Sequence, residues 1–200
     1  LYEKFKDELT SRPYLEIFQP SIYPILKMML VGLPMDSARV KEVHLALTAK
    51  EKVLNQEIQE NTCIILFNKI LRQKTCDTEN AKLKVKVHPL SHFDDIQFNP
   101  ASSLQRSALL HDMLGLPILD TTKTGAPKTG RKILSYLATH TTNQNVLDLL
   151  QFMQDLSEAT KCNGTFLKAF MQEEDFLHGS LKLGGAQSGR LSSSDPNLTN

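Results

Sequence analysis

No apolar run in this sequence approaches the ~20 residues that a membrane-spanning helix needs, and no secretory leader opens it. Cysteine is scarce. Cys63, Cys76 and Cys162 form an odd set without a CxxC pair, which argues against a disulfide scaffold and for reduced thiols in a cytoplasm. An excess of one charge is missing too, since 23 Lys and Arg against 22 Asp and Glu leave a net +1. No global field therefore draws nucleic acid or an anionic membrane, though a balanced sum leaves room for a local basic face. There is no internal repeat, and no Ser-His-Asp or Cys-His arrangement stands out. The first residue is Leu1 rather than Met, and Asn200 directly follows a dense motif, so both ends are expected to be cut from a longer reading frame.

What is present is enough for one or two domains: 200 residues, 40% hydrophobic and 22% charged. The periodicity is mainly helical. Ile17, Phe18, Ile22, Ile25, Leu26 and Met29 keep a helix-like spacing across 14–30, with Pro20 and Pro24 limiting where a helix starts. After Gly32-Leu33-Pro34, Asp36 is a natural N-cap. Val40, Val43, Leu47, Leu54 and Ile58 then share one face of a long helix to about Glu60. The stretch 61–72 either prolongs that helix or starts another. Leu83, Val85 and Val87 alternate with Lys82, Lys84 and Lys86, which predicts a short exposed strand with a lysine face.

Ser102 with Gln105 reads as a capping box for a helix to about Leu114, closed by Gly115 and Pro117. A Gly/Pro/Thr/Lys loop over 121–128 leads to a helix capped by Thr129, with Ile133, Leu134 and Leu137 inward. A further helix near Asn143 carries Val146, Leu149, Leu150, Met153 and Leu156 as its stripe. Phe176 to Leu183, a Gly184-Gly185 turn and Ala186 to Ser192 read as a hairpin. The expected fold class is mainly α with a small antiparallel β hairpin.

Several patterns do not carry chemistry. The segment from Gly125 to Lys132 begins like a P-loop but lacks the Lys-Ser/Thr after its second glycine, and no buried strand precedes it. A loop feeding a helix start can still touch a phosphate through free amides. His88 and His92 lie downstream of Cys63 and Cys76, whose separation is far from the spacing of a zinc module, and solvated loop histidines are expected. The acidic run Glu173-Glu174-Asp175 reads as solvated surface. The stripe Lys82, Lys84 and Lys86 is either an edge that discourages strand pairing or a surface for phosphate or a protein partner.

One stretch stands apart. Ser188-Gly189-Arg190-Leu191-Ser192-Ser193-Ser194-Asp195-Pro196-Asn197-Leu198-Thr199-Asn200 resembles the segment that opens the palm in DNA polymerase family A, the DNA polymerase I family. It departs from the usual pattern at Ser188, in place of threonine, and at Thr199, in place of glutamine. Gly32 to Asp36 resembles the turn before the first long thumb helix. Phe98-Asn99-Pro100-Ala101-Ser102-Ser103-Leu104-Gln105 resembles the entry to a later thumb helix, and Lys123 to Thr129 resembles the thumb loop beyond it. Leu177-His178-Gly179-Ser180 with its Gly-Gly turn is similar to the replicative polymerases of short-tailed phages.

The resemblance implies a helical thumb subdomain leading into the start of a polymerase palm. It implies a connector from an exonuclease-like domain over 1–20, a thumb over 21–175 with an insert at about 62–97, and palm from 176 to 200. The implied task is to grip primer-template DNA during template-directed synthesis by a DNA-directed DNA polymerase. Phosphates, sugars and minor-groove acceptors are common to every base pair, so a replicative grip uses donors and small hydroxyls rather than base readers.

The residues expected to contact DNA are Arg190, Ser192, Asn197, Asn200, Asn99, Ser102, Lys128 and Thr129. Lys82, Lys84 and Lys86 belong to the insert, which in some phage relatives binds a thioredoxin as processivity factor. No catalytic residue and no metal ligand is expected within these 200 residues. Mg2+ and dNTP binding are expected only of the full-length enzyme, in the cytoplasm and without a membrane partner. The competing reading is a stand-alone helical module that binds DNA or protein without catalysis.

Overall fold

The computed structural model describes residues 14–83, 87–171, 175–186 and 188–198. Contacts divide the chain into two units, one formed by 1–46 with 162–200 and the other by 47–161. The boundaries 1–20, 21–175 and 176–200 drawn from the sequence are a different partition, by resemblance rather than by contact. Lys84, Lys86, Glu173, Glu174, Thr199 and Asn200 lie outside the described residues.

The second unit contains the main core. Helix α2 (Ser37–Glu60) begins in the first unit, where Asp36 Oδ1 accepts from the Arg39 amide at 2.9 Å, the N-cap expected of it. Farther along α2, Leu54 and Ile58 are buried. The next segment is a new helix, α3 (Thr62–Asn80), because Asn61 breaks the run and caps it by accepting from the Cys63 amide at 2.9 Å. Helix α4 (Ser103–Ser107) widens into a π-type stretch over Ala108–Met113 that seats Leu109 and Leu110 in the core. Helix α5 (Arg131–Leu137) and helix α6 (Gln144–Lys161) complete the packing. The α6 stripe Val146, Leu149, Leu150, Met153 and Leu156 is buried throughout, as the 3.6 periodicity requires.

Polar stitching holds the loop into α4. Asn68 is buried, its Oδ1 accepting from the Phe98 amide at 2.7 Å, while Gln59 Nε2 donates to the Phe98 carbonyl at 2.7 Å. Phe98 thereby seats edge-on against Phe67, ring centroids 5.7 Å apart.

The expected lysine strand is not formed where it is described. Asn80 ties both backbone hydrogen-bonding groups of His88, accepting from its amide at 2.8 Å and donating to its carbonyl at 3.0 Å. Lys82 sits on the turn after α3 and pairs with Glu79 at 2.9 Å. His88 and His92 stack on each other in the loop that follows, centroids 4.5 Å apart.

In the first unit, a π-type turn (Tyr14–Phe18) leads into α1 (Gln19–Val31). Only Ile25 on α1 is buried, so the apolar spacing across 14–30 does form a helix but most of it faces outward. Strand β1 (Leu33–Pro34) pairs antiparallel with β2 (Phe176–Leu177). The expected hairpin is displaced. Strand β3 (Ser180–Lys182) pairs with β4 (Ser192–Ser194), so the returning strand overlaps the expected 186–192 only at Ser192 and is formed by the serines of the C-terminal motif. Residues 162–167 form a further π-type turn before α7 (Lys168–Phe170). Among the described residues no helix is long and apolar enough to cross a membrane.

Candidate nucleic-acid interface

A basic cleft forms in the second unit around the entry to α4 and the loop before α5. Asn99 starts the entry by folding its Oδ1 onto the Ala101 amide at 2.9 Å, and its own amide donates to Gln105 Oε1 at 2.7 Å. Ser102 Oγ accepts from the Gln105 amide at 3.3 Å, the N-cap half of the expected box. Gln105 completes that box one turn earlier than its usual target, on Asn99. The side-chain oxygens of Asn99 and Ser102 are thus committed to building the helix start.

The loop 120–128 is a tight hairpin. Thr121 bridges Pro127, the Lys128 amide donates to the Asp120 carbonyl at 2.9 Å, and Gly125 takes the positive φ of 82° that the turn demands. Lys128 Nζ also reaches Asp120 Oδ2 at 2.7 Å. Beyond it, Thr129 does not cap α5. Gly130 holds the N-cap position, its carbonyl accepting from the amides of Ile133 and Leu134, while Thr129 is buried at 4% exposure. Burial draws the threonine inward and leaves the adjacent glycine to make the turn.

Between these walls lies a cleft of about 660 Å³, lined by Arg106, Lys128, Arg131 and Lys132 with Asp120 as its one carboxylate. Lys128 and Thr129 from the sequence-based set reach it, and Asn99 and Ser102 do not. Arg106, Arg131 and Lys132 were missed by sequence reasoning. Arg131 pairs with Glu158 at 2.9 Å. Arg106 differs, because its Nε is closed to solvent and has no hydrogen-bond partner. Burial pulls its pKa below the ordinary arginine value. Leaving such a donor unsatisfied costs about 1–3 kcal/mol, and a position in the sequence carries no signal of it.

Asp120 is held below its ordinary carboxyl pKa, chiefly by the hydrogen bond from Lys128 and further by the Thr121 amide. A carboxyl lowered in the folded state contributes stability above its unfolded pKa and loses it as pH falls through the folded value. The hairpin is therefore expected to loosen in acid, below the usual 3.8 of the free side chain. Carboxyl carbon shifts of Asp120, followed by NMR from about pH 5 to pH 2, should titrate late, and Lys128→Met should return the midpoint toward 3.8.

The C-terminal motif builds a second feature, in the first unit. Arg190 is exposed ahead of β4. Ser192 is half-buried and pairs with Lys182. Ser193 Oγ accepts from the Leu198 amide at 2.6 Å and donates to Asn197 Oδ1 at 3.2 Å, closing the turn around Asp195-Pro196. Ser193 and Asn197 border a cleft of about 510 Å³ beside Thr165 and Phe166. The serines of the motif therefore shape a turn as well as offering hydroxyls.

Among the described residues, no three His, Cys, Asp or Glu side chains come together to hold a metal ion.

The family model for DNA polymerase family A matches residues 69–200, a span that takes in both features. The chain belongs to DNA polymerase family A. Among its family A relatives, DNA polymerase I of Pseudomonas aeruginosa is 34% identical over 108 residues, covering 52% of this chain and 11% of that protein. DNA polymerase I of Bacillus subtilis is 25% identical over 208 residues, covering the whole chain and 19% of its own length. DNA polymerase I of Caldicellulosiruptor bescii is 32% identical over 130 residues, covering 65% and 15%. The chain thus spans less than a fifth of each of these relatives. A solved structure described as the POL domain of Pol1 from M. smegmatis, in complex with DNA primer-template and dNTP, superposes with a TM-score of 0.64. It covers 88% of this chain and 25% of that one, at 21% identity, and supports the fold.

Proposed function

We propose that this family A chain is the DNA-gripping part of a DNA-directed DNA polymerase, holding primer-template while synthesis proceeds elsewhere in the enzyme. One observation carries the reading: the stretch matched by the family contains both the basic cleft and the turn after Arg190. The cleft offers cations to backbone phosphates, which are the same at every step of a template. Residues 21–175 then serve as thumb, 176–200 open the palm, and 1–20 connect to what precedes them.

Within that grip, Lys128 and Arg190 supply charge, and Ser192, Asn197 and Asn200 supply small polar contacts. Asn99 and Ser102 shape the entry to α4, and Thr129 lines the cleft. Mg2+ and dNTP are assigned to the complete enzyme, where carboxylates outside this chain supply metal-ion catalysis. The insert at 62–97, with Lys82, Lys84 and Lys86, is assigned a processivity role, through a thioredoxin-like partner or the DNA channel. The enzyme works in the cytoplasm.

Two measurements test the proposal. Fluorescence anisotropy with a labelled primer-template should show affinity that falls with salt, and Arg190→Ala should make the log–log slope shallower by about 1. A slope unchanged from the parent removes Arg190 from the contact set. Primer extension by the 200 residues alone should give no incorporation, and any template-directed product would falsify the assignment of catalysis to other parts of the enzyme.

A further inference from the structure

Helix α3 turns a side chain toward the returning backbone at every fourth residue, and the functional reading gives this stripe no task. Asn68, Arg72, Cys76 and Asn80 share one side of the helix by that spacing. Asn68 Oδ1 accepts from the Phe98 amide at 2.7 Å, and Arg72 Nε donates to the Ile96 carbonyl at 3.0 Å. Cys76 Sγ reaches the His88 carbonyl at 3.7 Å, beside the two bonds that Asn80 makes to the same residue. We propose that these side chains form a positioning ladder, which fixes the segment 88–98 and through it the start of α4. The proposal rests on the DNA-gripping reading and adds to it residues that act on the grip without touching DNA.

Apolar burial alone does not place this segment. Among the described residues of 87–98, only Phe93 and Phe98 are buried. Backbone with so few apolar anchors takes its position from its hydrogen bonds, which fix direction as well as distance. The rung at Phe98 is the most constrained. Gln59 Nε2 donates to the Phe98 carbonyl at 2.7 Å, and Gln59 Oε1 accepts from Asn68 Nδ2 at 3.3 Å. Both backbone groups of Phe98 are therefore held by side chains that are hydrogen-bonded to each other.

Asn99 follows directly. Its amide, side chain and carbonyl meet Gln105, Ala101 and Ser102, which together build the α4 entry. Ser103, Leu104 and Arg106 then line the cleft. A change of direction at the Phe98 peptide is thus passed to that wall within a few residues. Arg72 has two conceivable roles, since its side chain is 28% exposed and carries a charge. Its Nε is committed to the Ile96 carbonyl, and its Nη1 lies 3.7 Å from Asp94 Oδ1, which makes it a strut. Losing a phosphate contact flattens the salt dependence of binding, and losing a strut does not.

The test uses salt-dependent primer-template binding, with circular-dichroism melts to choose a temperature at which every variant is folded. Asn68→Ala is expected to weaken binding about fivefold. Arg72→Met should cost less and Asn80→Ala least, following the distance of each rung from Phe98. Arg72→Met should also keep the parent's log–log salt slope. Gln59→Ala combined with Asn68→Ala should lose less than the sum of the single losses, because both side chains hold one peptide. A slope shallower by about 1 in Arg72→Met makes that residue a phosphate contact. Parent-like binding by Asn68→Ala leaves the rungs with a purely structural task. Either result overturns the proposal.

A second readout needs no DNA. Amide exchange at Asn99 and Gln105 should quicken in Asn68→Ala, and by more than in Asn80→Ala. Parent-like exchange at both positions overturns the ladder. If the parent chain shows no salt-dependent binding, the DNA-gripping reading falls, and the exchange result still decides whether the rungs hold the α4 entry.

Discussion

Replacing Phe98 by alanine is expected to remove about 3–5 kcal/mol of stability from the unit formed by 47–161, the range for emptying a buried aromatic site. Phe98 is 2% exposed and meets Phe67 edge-on at 5.7 Å. Its backbone is equally anchored, with the amide on Asn68 Oδ1 and the carbonyl on Gln59 Nε2. The cavity cannot close easily, because those two hydrogen bonds hold the main chain in place while the ring is gone. Urea unfolding should show a lower midpoint with an unchanged slope. A midpoint shift worth less than about 1 kcal/mol would mean that neighbouring side chains refill the space.

The second large effect is expected at Gly32. It takes φ 72° and ψ −177°, a region that side chains other than glycine's hydrogen rarely enter, at a cost of about 1–3 kcal/mol. A Cβ there would also stand 2.8 Å from His178 Cε1 and 3.0 Å from the Leu177 carbonyl oxygen. The imidazole could turn away only by giving up its Nδ1–H donation to the Met29 carbonyl at 2.9 Å, and the Leu177 carbonyl belongs to the β1–β2 pairing. Gly32→Ala should therefore destabilise the unit made by 1–46 and 162–200 and raise amide exchange at Leu33 and Leu177. Parent-like exchange at both positions would show that the turn relaxes without parting the strands.

Much of the helical framework was legible in advance, for local reasons. The cap at Asp36, the length of the helix to Glu60 and the buried stripe from Val146 to Leu156 depend on neighbours within a turn or two. The misreadings share a different cause. Thr129 reads as a cap by residue type, but burial takes it inward and Gly130 makes the turn. Lys82 reads as strand by alternation, but it sits on the turn after α3, paired with Glu79. The spacing across 14–30 predicts a helix correctly and says nothing of which face is covered, and most of its apolar side chains face outward. The C-terminal motif led to the family, yet its serines also form the strand opposite β3, a pairing that the Gly184-Gly185 turn signal placed too early.

The sequence by itself determined the helical periods, most helix starts and membership of DNA polymerase family A, because each resides in short-range pattern or in a contiguous motif. Only the tertiary structure decided that Arg106, Lys128, Arg131 and Lys132 line one cleft, and that β1 pairs with a strand more than a hundred residues away in the chain. Those juxtapositions depend on how buried faces pack, and a donor stranded without an acceptor exists only once packing has removed its water.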